Sequence, residues 1–330
     1  MFGWRVSVLL LLAMQAEAQL LPSFGNSRTA TAGFQFLHIG PDAWSTGMGR
    51  SHMAHVDNAS ALFWNPAGIA GIDTALMDLN VSHALYFADV HLSAAAGAHA
   101  LSKQTFAGAS FLYLTTGNMP VTTEFMPMGT GQYFKASHWA AGLSLARILT
   151  DNFRFGVSLK YVGESYADLW LGTLVTDFGF QYNVGKANTR FAVAVSNFGF
   201  STEPKGTIER ISLEGMDTLT DFERVVVPAV FRIGIAWDPI KTEDQRLTFC
   251  AQLNHPTDNN ETYCLGAEYV FQKVVFVRAG YVFGLDQPSL PLFGMGLRWP
   301  QRFNALQVDY GFEQRRTLGS LHRVSLSLRI

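Results

Sequence analysis

Short runs of strict alternation recur through the last three-quarters of the chain, and they constrain its fold more than any other feature. In FGMGLRW, Phe293, Met295, Leu297 and Trp299 share one face, while Gly294, Gly296 and Arg298 share the other. In RVSLSLRI, Val324, Leu326, Leu328 and Ile330 oppose Arg323, Ser325, Ser327 and Arg329. FRFGVSLKY and LQVDYGFE repeat the pattern. A period of two puts such sets on opposite faces of a β-strand. Fourteen strands can be read between residues 74 and 330, with about 18 residues for each strand and its connection, enough to cross a bilayer.

A soluble sandwich would alternate too, so the connections must decide. Counted from the N-terminus, even-numbered connections are mostly short, around Ser102-Lys103, Asp151-Asn152, Gly185 to Thr189 and Gln272-Lys273. The two longest, Thr115 to Gly131 and Ser201 to Arg224, are both odd-numbered. Outer-membrane barrels have short periplasmic turns and longer outer loops, which yields this parity. It predicts an all-β, 14-stranded antiparallel transmembrane barrel with both termini on the periplasmic side. Trp170, Trp237 and Trp299 fall at strand ends, where interfacial girdles form.

Composition agrees. Charged residues make up 15% of the chain, against about 25% in typical soluble domains. The formal net charge is −2 and no basic stripe occurs, which argues against nucleic acid as a partner. Residues 1–18 read as a secretory signal peptide: Arg5, an apolar core Val6 to Met14, and Ala16-Glu17-Ala18 as the cleavage site.

One stretch, Phe36 to Ile72, shows neither period. Gly47 and Gly49 bracket Met48 and allow a tight turn. Asp57 or Asn58 can cap a short helix over Ala59 to Trp64. Pro66 keeps Asn65 out of the α region and ends that helix. A fourteen-stranded barrel is wider than the eight-stranded kind that side chains can fill. Residues 19–72 are therefore predicted to be a hatch inside a barrel formed by residues 73–330.

The run FLxIGPDAxxxGMG…A…DNASALFWNPAG resembles the N-terminal signature of the PorV/PorQ family of outer-membrane proteins, itself similar to the FadL-type barrels. The matching positions are Gly47, Met48, Gly49, Asp57, Ala59, Trp64, Asn65, Pro66, Ala67 and Gly68. Trp44 departs from the usual Arg, Asn58 from the usual acid, and Arg50 follows the second Gly. The resemblance implies an integral outer-membrane protein of a Gram-negative bacterium that works in type IX protein secretion. Such a protein would bind and hand over exported cargo, without catalysis. Its partners would be the type IX translocon or secreted cargo, with outer-membrane lipid around the wall. The alternative is a FadL-type transporter of hydrophobic small molecules. A greasy pocket between hatch and wall, with a kink or gap in one strand, would mark it.

No catalytic, cofactor or metal site is predicted. Gly47-Met48-Gly49 has His52 where a dinucleotide-binding third Gly would stand. His52 and His55 lack a neighbouring Cys or third His. The polar strand faces carry charges of both signs, including Arg154, Lys160, Asp177, Arg232, Glu268, Arg278 and Asp309, as a cross-paired lumen wall would. Two registers follow from turn geometry. A tight connection centred on Thr257 would set Cys250 opposite Cys264, and a turn at Gln272 to Val274 would set Glu268 opposite Arg278. Met119, Pro120, Phe125, Met126 and Met128 in the first long loop form a candidate partner-binding surface, or else a lid on their own barrel.

Overall fold

The computed structural model describes residues 32–72, 77–185, 188–212, 215–285, 290–300 and 305–330. The signal peptide expected at 1–18 and the first part of the expected hatch, 19–31, lie outside the described residues.

The barrel strands are β1 Met77–Leu85, β2 His91–Ala100, β3 Thr105–Thr115, β4 Ala136–Thr150, β5 Phe153–Tyr166, β6 Leu169–Val184 and β7 Thr189–Gly199. They continue as β8 Val230–Lys241, β9 Gln245–Pro256, β10 Thr262–Phe271, β11 Val275–Phe283, β12 Leu292–Pro300, β13 Ala305–Arg315 and β14 Gly319–Arg329. Each pairs antiparallel with its sequence neighbours, and β14 closes on β1 with Leu328 opposite Leu79. Closure leaves no edge, so the backbone polar groups of the wall pair without water.

Burial is inverted relative to a soluble protein. Leu143 and Met295 are 72% and 62% exposed on the outer face, while Asp177, Glu268, Arg278, Asp309 and Arg323 are buried inside. Leaving such an apolar belt in water would cost far more than leaving it in lipid. Trp170 stands at the outer end of β6, and Trp237 and Trp299 stand near the periplasmic ends of β8 and β12, all facing outward. These are the girdle positions.

The β10–β11 register sets Glu268 opposite Arg278 and Phe271 opposite Val275, as the short turn required. The β9–β10 register differs from expectation. Cys250 faces Gly266, and Cys264 faces Gln252, so the thiols are one pair out of step and both are free. The reason lies in the connection, which spans 257–261 instead of turning tightly at Thr257. Asp258 is drawn inward to Gln35, at 2.6 Å, and His38, at 3.1 Å, so pairing begins at Asn254 and Thr262.

The irregular segment 33–72 lies inside this wall. Its one α-helix, α1 (Ala43–Gly47), rests on β11 to β14. The 3-10 turn His52–Ala54 rests on β7 to β9, Ala59–Phe63 on β1 to β3, and Pro66–Gly71 on β3 to β6. The backbone of Met48 lies against Gly266 of β10. The segment begins at the outer rim, where the Gly33 amide donates to the Val226 carbonyl in the long β7–β8 connection at 3.1 Å. The described part of the segment thus runs inward from the outer rim, while the N-terminus expected on the periplasmic side lies outside the described residues.

Docking is backbone against backbone. A Cβ on Gly280 of β11 would overlap Gly49, and one on Gly179 of β6 would overlap the Asn65 side chain. Glycine on the lumen face marks where the hatch comes closest. Gly280→Val is therefore expected to dislodge the hatch while leaving the wall closed. The barrel should keep its heat-dependent gel shift and gain ion conductance in planar bilayers; unchanged conductance would show that the contact does not seat the hatch.

Candidate functional site

The hatch is built by local capping. Asp42 Oδ1 accepts from the Ser45 amide at 3.1 Å and starts α1. Asn58, rather than Asp57, caps the next turn, accepting from the Ser60 amide at 3.0 Å. Asn65 is extended, with φ −154°, and its side chain accepts from the Ala67 amide at 3.1 Å. The same side chain donates to the Phe180 carbonyl of β6 at 3.1 Å, so the Asn-Pro turn is both a cap and a wall contact. Gly47 packs on Gly294, and Gly49 turns the chain with φ +59°. Met48 is fully buried, the Pro66–Ala67 backbone lies on Gly156, and Gly68 packs under the Val56 carbonyl. Arg329 donates to the Asp57 carbonyl at 3.4 Å. The signature positions thus converge on seating the hatch.

His52 and His55 do not share an ion. His52 stands between Trp44 and Trp64, at ring distances of 5.4 and 5.2 Å, and His55 reaches Glu268 at 3.0 Å. Burial pushes His52 down to about 3, so its ring is neutral, and pushes Asp42 up to about 6. No cluster of three or more metal-ligating side chains occurs among the described residues.

The wall charges pair with one another. Glu268 accepts from Arg278 at 2.7 Å and from Arg246 at 3.0 Å, and Arg278 also reaches Asp309 at 2.6 Å. Glu313 is shared by Arg50 of the hatch, Arg315 and Arg323, at 3.2, 2.6 and 2.9 Å. Lys160 pairs with Asp177 at 2.8 Å, and Arg329 with Asp78 at 2.9 Å.

Two cavities remain between hatch and wall, on either side of Arg232. The smaller, about 40 Å³, is mostly apolar and lies among Leu37, Ile39, Leu62, Phe63 and Leu112. Beside it the β6–β7 ladder slips: Asp177 faces both Ser196 and Asn197, and Asn197 takes φ 60°. This is a β-bulge, which bends a strand and leaves a residue unpaired. The Asn197 amide is instead bound by Asp177 at 2.7 Å. The larger cavity, about 230 Å³, has a mixed lining that includes Arg50, Arg232, Asn254 and Thr262 beside Trp64, Val282 and Leu285, and it reaches Asn259 and Asn260 on the outer turn. Sequence reasoning placed Arg232 among the polar-face charges but had no reason to single it out. Arg50 entered only as a departure from the signature, and the bulge carried no sequence signal beyond Asn197.

The loop residues expected to meet a partner stay apart from these cavities. Met119–Pro120 pairs with Tyr133–Phe134 as a short ribbon, while Phe125 and Met128 are 80% and 96% exposed.

Removing one partner from a buried ionic cluster leaves the others uncompensated, at a cost of about 3–5 kcal/mol. Glu268→Ala should therefore lower the unfolding free energy in lipid vesicles by about that amount, read from urea titration. Glu203→Ala removes only the exposed Glu203–Arg224 pair and should change it by less than about 1 kcal/mol. Equal effects would mean that the lumen pairs are solvated like surface ones.

No family profile matches the chain, and no curated protein matches it in sequence. Its likeness is to solved structures. The toluene transporter TodX of Pseudomonas putida superposes with a TM-score of 0.61 at 13% identity, over 88% of this chain and 97% of that one. TbuX, the toluene transporter of Ralstonia pickettii, gives 0.59 at 13% identity, over 88% and 97%. A FadL homologue of Pseudomonas aeruginosa gives 0.51 at 12% identity, over 87% and 97%. These neighbours overturn the type IX secretion role that the PorV/PorQ resemblance implied, since the barrels that share this architecture are transporters and FadL-type proteins. The chain is an integral outer-membrane barrel of a Gram-negative bacterium, with the fold of the FadL-type proteins.

Proposed function

We propose that the protein carries small hydrophobic molecules across the outer membrane. The observation that carries this reading is the pocket between hatch and wall, whose apolar side is Leu37, Ile39, Leu62 and Leu112 and whose polar side includes Lys160 and Arg232, inside a plugged fourteen-stranded barrel. An apolar solute gains roughly 25 cal/mol per Å² of surface removed from water, and this pocket is where such surface can be buried. The β6–β7 bulge lies beside the pocket and supplies the wall irregularity that such a transporter was expected to have. Two named toluene transporters among the structural neighbours support the same solute class. At about 40 Å³ the pocket is smaller than a typical ligand site, so the solute has to displace part of the hatch as it passes. The solute leaves chemically unchanged, and no catalytic group is required.

The test is flux of labelled toluene into vesicles that contain the purified protein. Flux should exceed that of empty vesicles and saturate. Ala140→Phe, which fills the pocket from the β4 wall, should lower it several-fold while the barrel stays folded. Flux no faster than through empty vesicles would overturn the reading.

A further inference from the structure

Arg232 is a lumen-wall cation with no carboxylate to balance it among the described residues; Arg298 shares that lack, but both its Nε and Nη2 are held by Gln307, whereas Arg232 borders open space. It lies on β8, is 7% exposed, and lines both cavities. Its Nη1 donates to Ser196 Oγ at 2.6 Å, and its guanidinium lies over the Trp64 ring at 5.7 Å. Unlike Arg278, Arg323, Arg246 and Lys160, it has no carboxylate within 4.0 Å among the described residues. The acid nearest in effect, Asp177, is already taken by Lys160.

The opposite side of the larger cavity adds to the imbalance. Arg50 shares Glu313 with Arg315 and Arg323, three cations on one carboxylate. Asp258 is near the mouth, but Gln35 and His38 already occupy it. A buried cation without a counter-charge is costly, and an anion brought from solution removes that cost.

We propose that this larger cavity binds a compact organic carboxylate, with its carboxylate on Arg232. The guanidinium fork suits a planar carboxylate. Asn254 and Thr262 offer hydrogen bonds from the β9 and β10 walls, and Trp64, Val282 and Leu285 offer apolar surface for the body of the molecule. A space of about 230 Å³ excludes a long acyl chain. The inference deepens the transport reading, on which it rests only for the solute's route through the lumen. The carboxylate would dock in the larger cavity before its apolar part meets the smaller one.

The experiment is calorimetric titration of the full-length protein in detergent with benzoate, and with toluene as the uncharged ring of the same shape. Benzoate is expected to bind saturably, Arg232→Gln to weaken it by about tenfold or more, and Arg232→Lys to weaken it less. Toluene should not displace it. Folding of each variant is read from the heat-dependent gel shift. Should Arg232→Gln fail that control, Leu285→Trp fills the same cavity from the opposite wall and should abolish benzoate binding. Absence of saturable benzoate binding would overturn the proposal, as would equal affinity in Arg232→Gln or displacement by toluene. Toluene flux in vesicles is scored separately. Flux without benzoate binding sinks only the carboxylate site, and benzoate binding without flux sinks only the transport reading.

Discussion

A wall of fourteen strands encloses more space than its own inward side chains can fill, and everything else in this protein answers that constraint. The space is filled by backbone. The hatch brings Gly47 and Gly49, the Met48 carbonyl and the Asn65–Ala67 turn directly onto Gly294, Gly280, Gly266, Gly179 and Gly156. Such contacts need glycine on at least one side, because a Cβ there would stand where the other chain lies. The hatch itself is too irregular to supply its own hydrogen bonds. Its caps come from Asp42, Asn58 and Asn65, and its remaining amides borrow wall side chains, as Ala43 does from Ser325 and Met53 from Gln252.

The second consequence is electrostatic. Polar wall residues face a lumen that the hatch has largely dried, so their charges must find one another. The chain from Arg246 through Glu268 and Arg278 to Asp309 does this within the wall, and His55 and Arg50 tie the hatch to it at Glu268 and Glu313. Buried pairs of this kind add little net stability but penalise any arrangement that separates them. They therefore specify one seating of the hatch. Arg232 stands out because it borders two cavities with no carboxylate within reach among the described residues.

The correction of the secretion role has a physical lesson. The hatch signature encodes how a plug is seated: a glycine-flanked turn, a cap, an Asn-Pro turn. That problem is common to plugged barrels whatever passes through or docks on them. Residues such as Gly49 and Asn65 hence report architecture, while cargo or solute is decided by cavities whose lining comes from many strands at once.

Alternation and connection length determined the barrel, its strand number, its outward belt and the Glu268–Arg278 register, because each follows from period two and a short turn. The need for a plug was legible for the same reason, as an aperiodic segment ahead of too wide a wall. Tertiary structure decided what no local rule contains. Asp258 turns inward to Gln35 and His38, and that contact across 220 or more residues moved Cys250 and Cys264 out of register. The described hatch runs from the outer rim inward, because Gly33 finds its partner at Val226 in the long β7–β8 connection. Arg232 drew notice only once Arg278, Arg323, Arg246 and Lys160 had each met a carboxylate and it had met none. Long-range pairing is a property of the closed wall, and a linear sequence carries no signal for which of its like-looking charges will be left over.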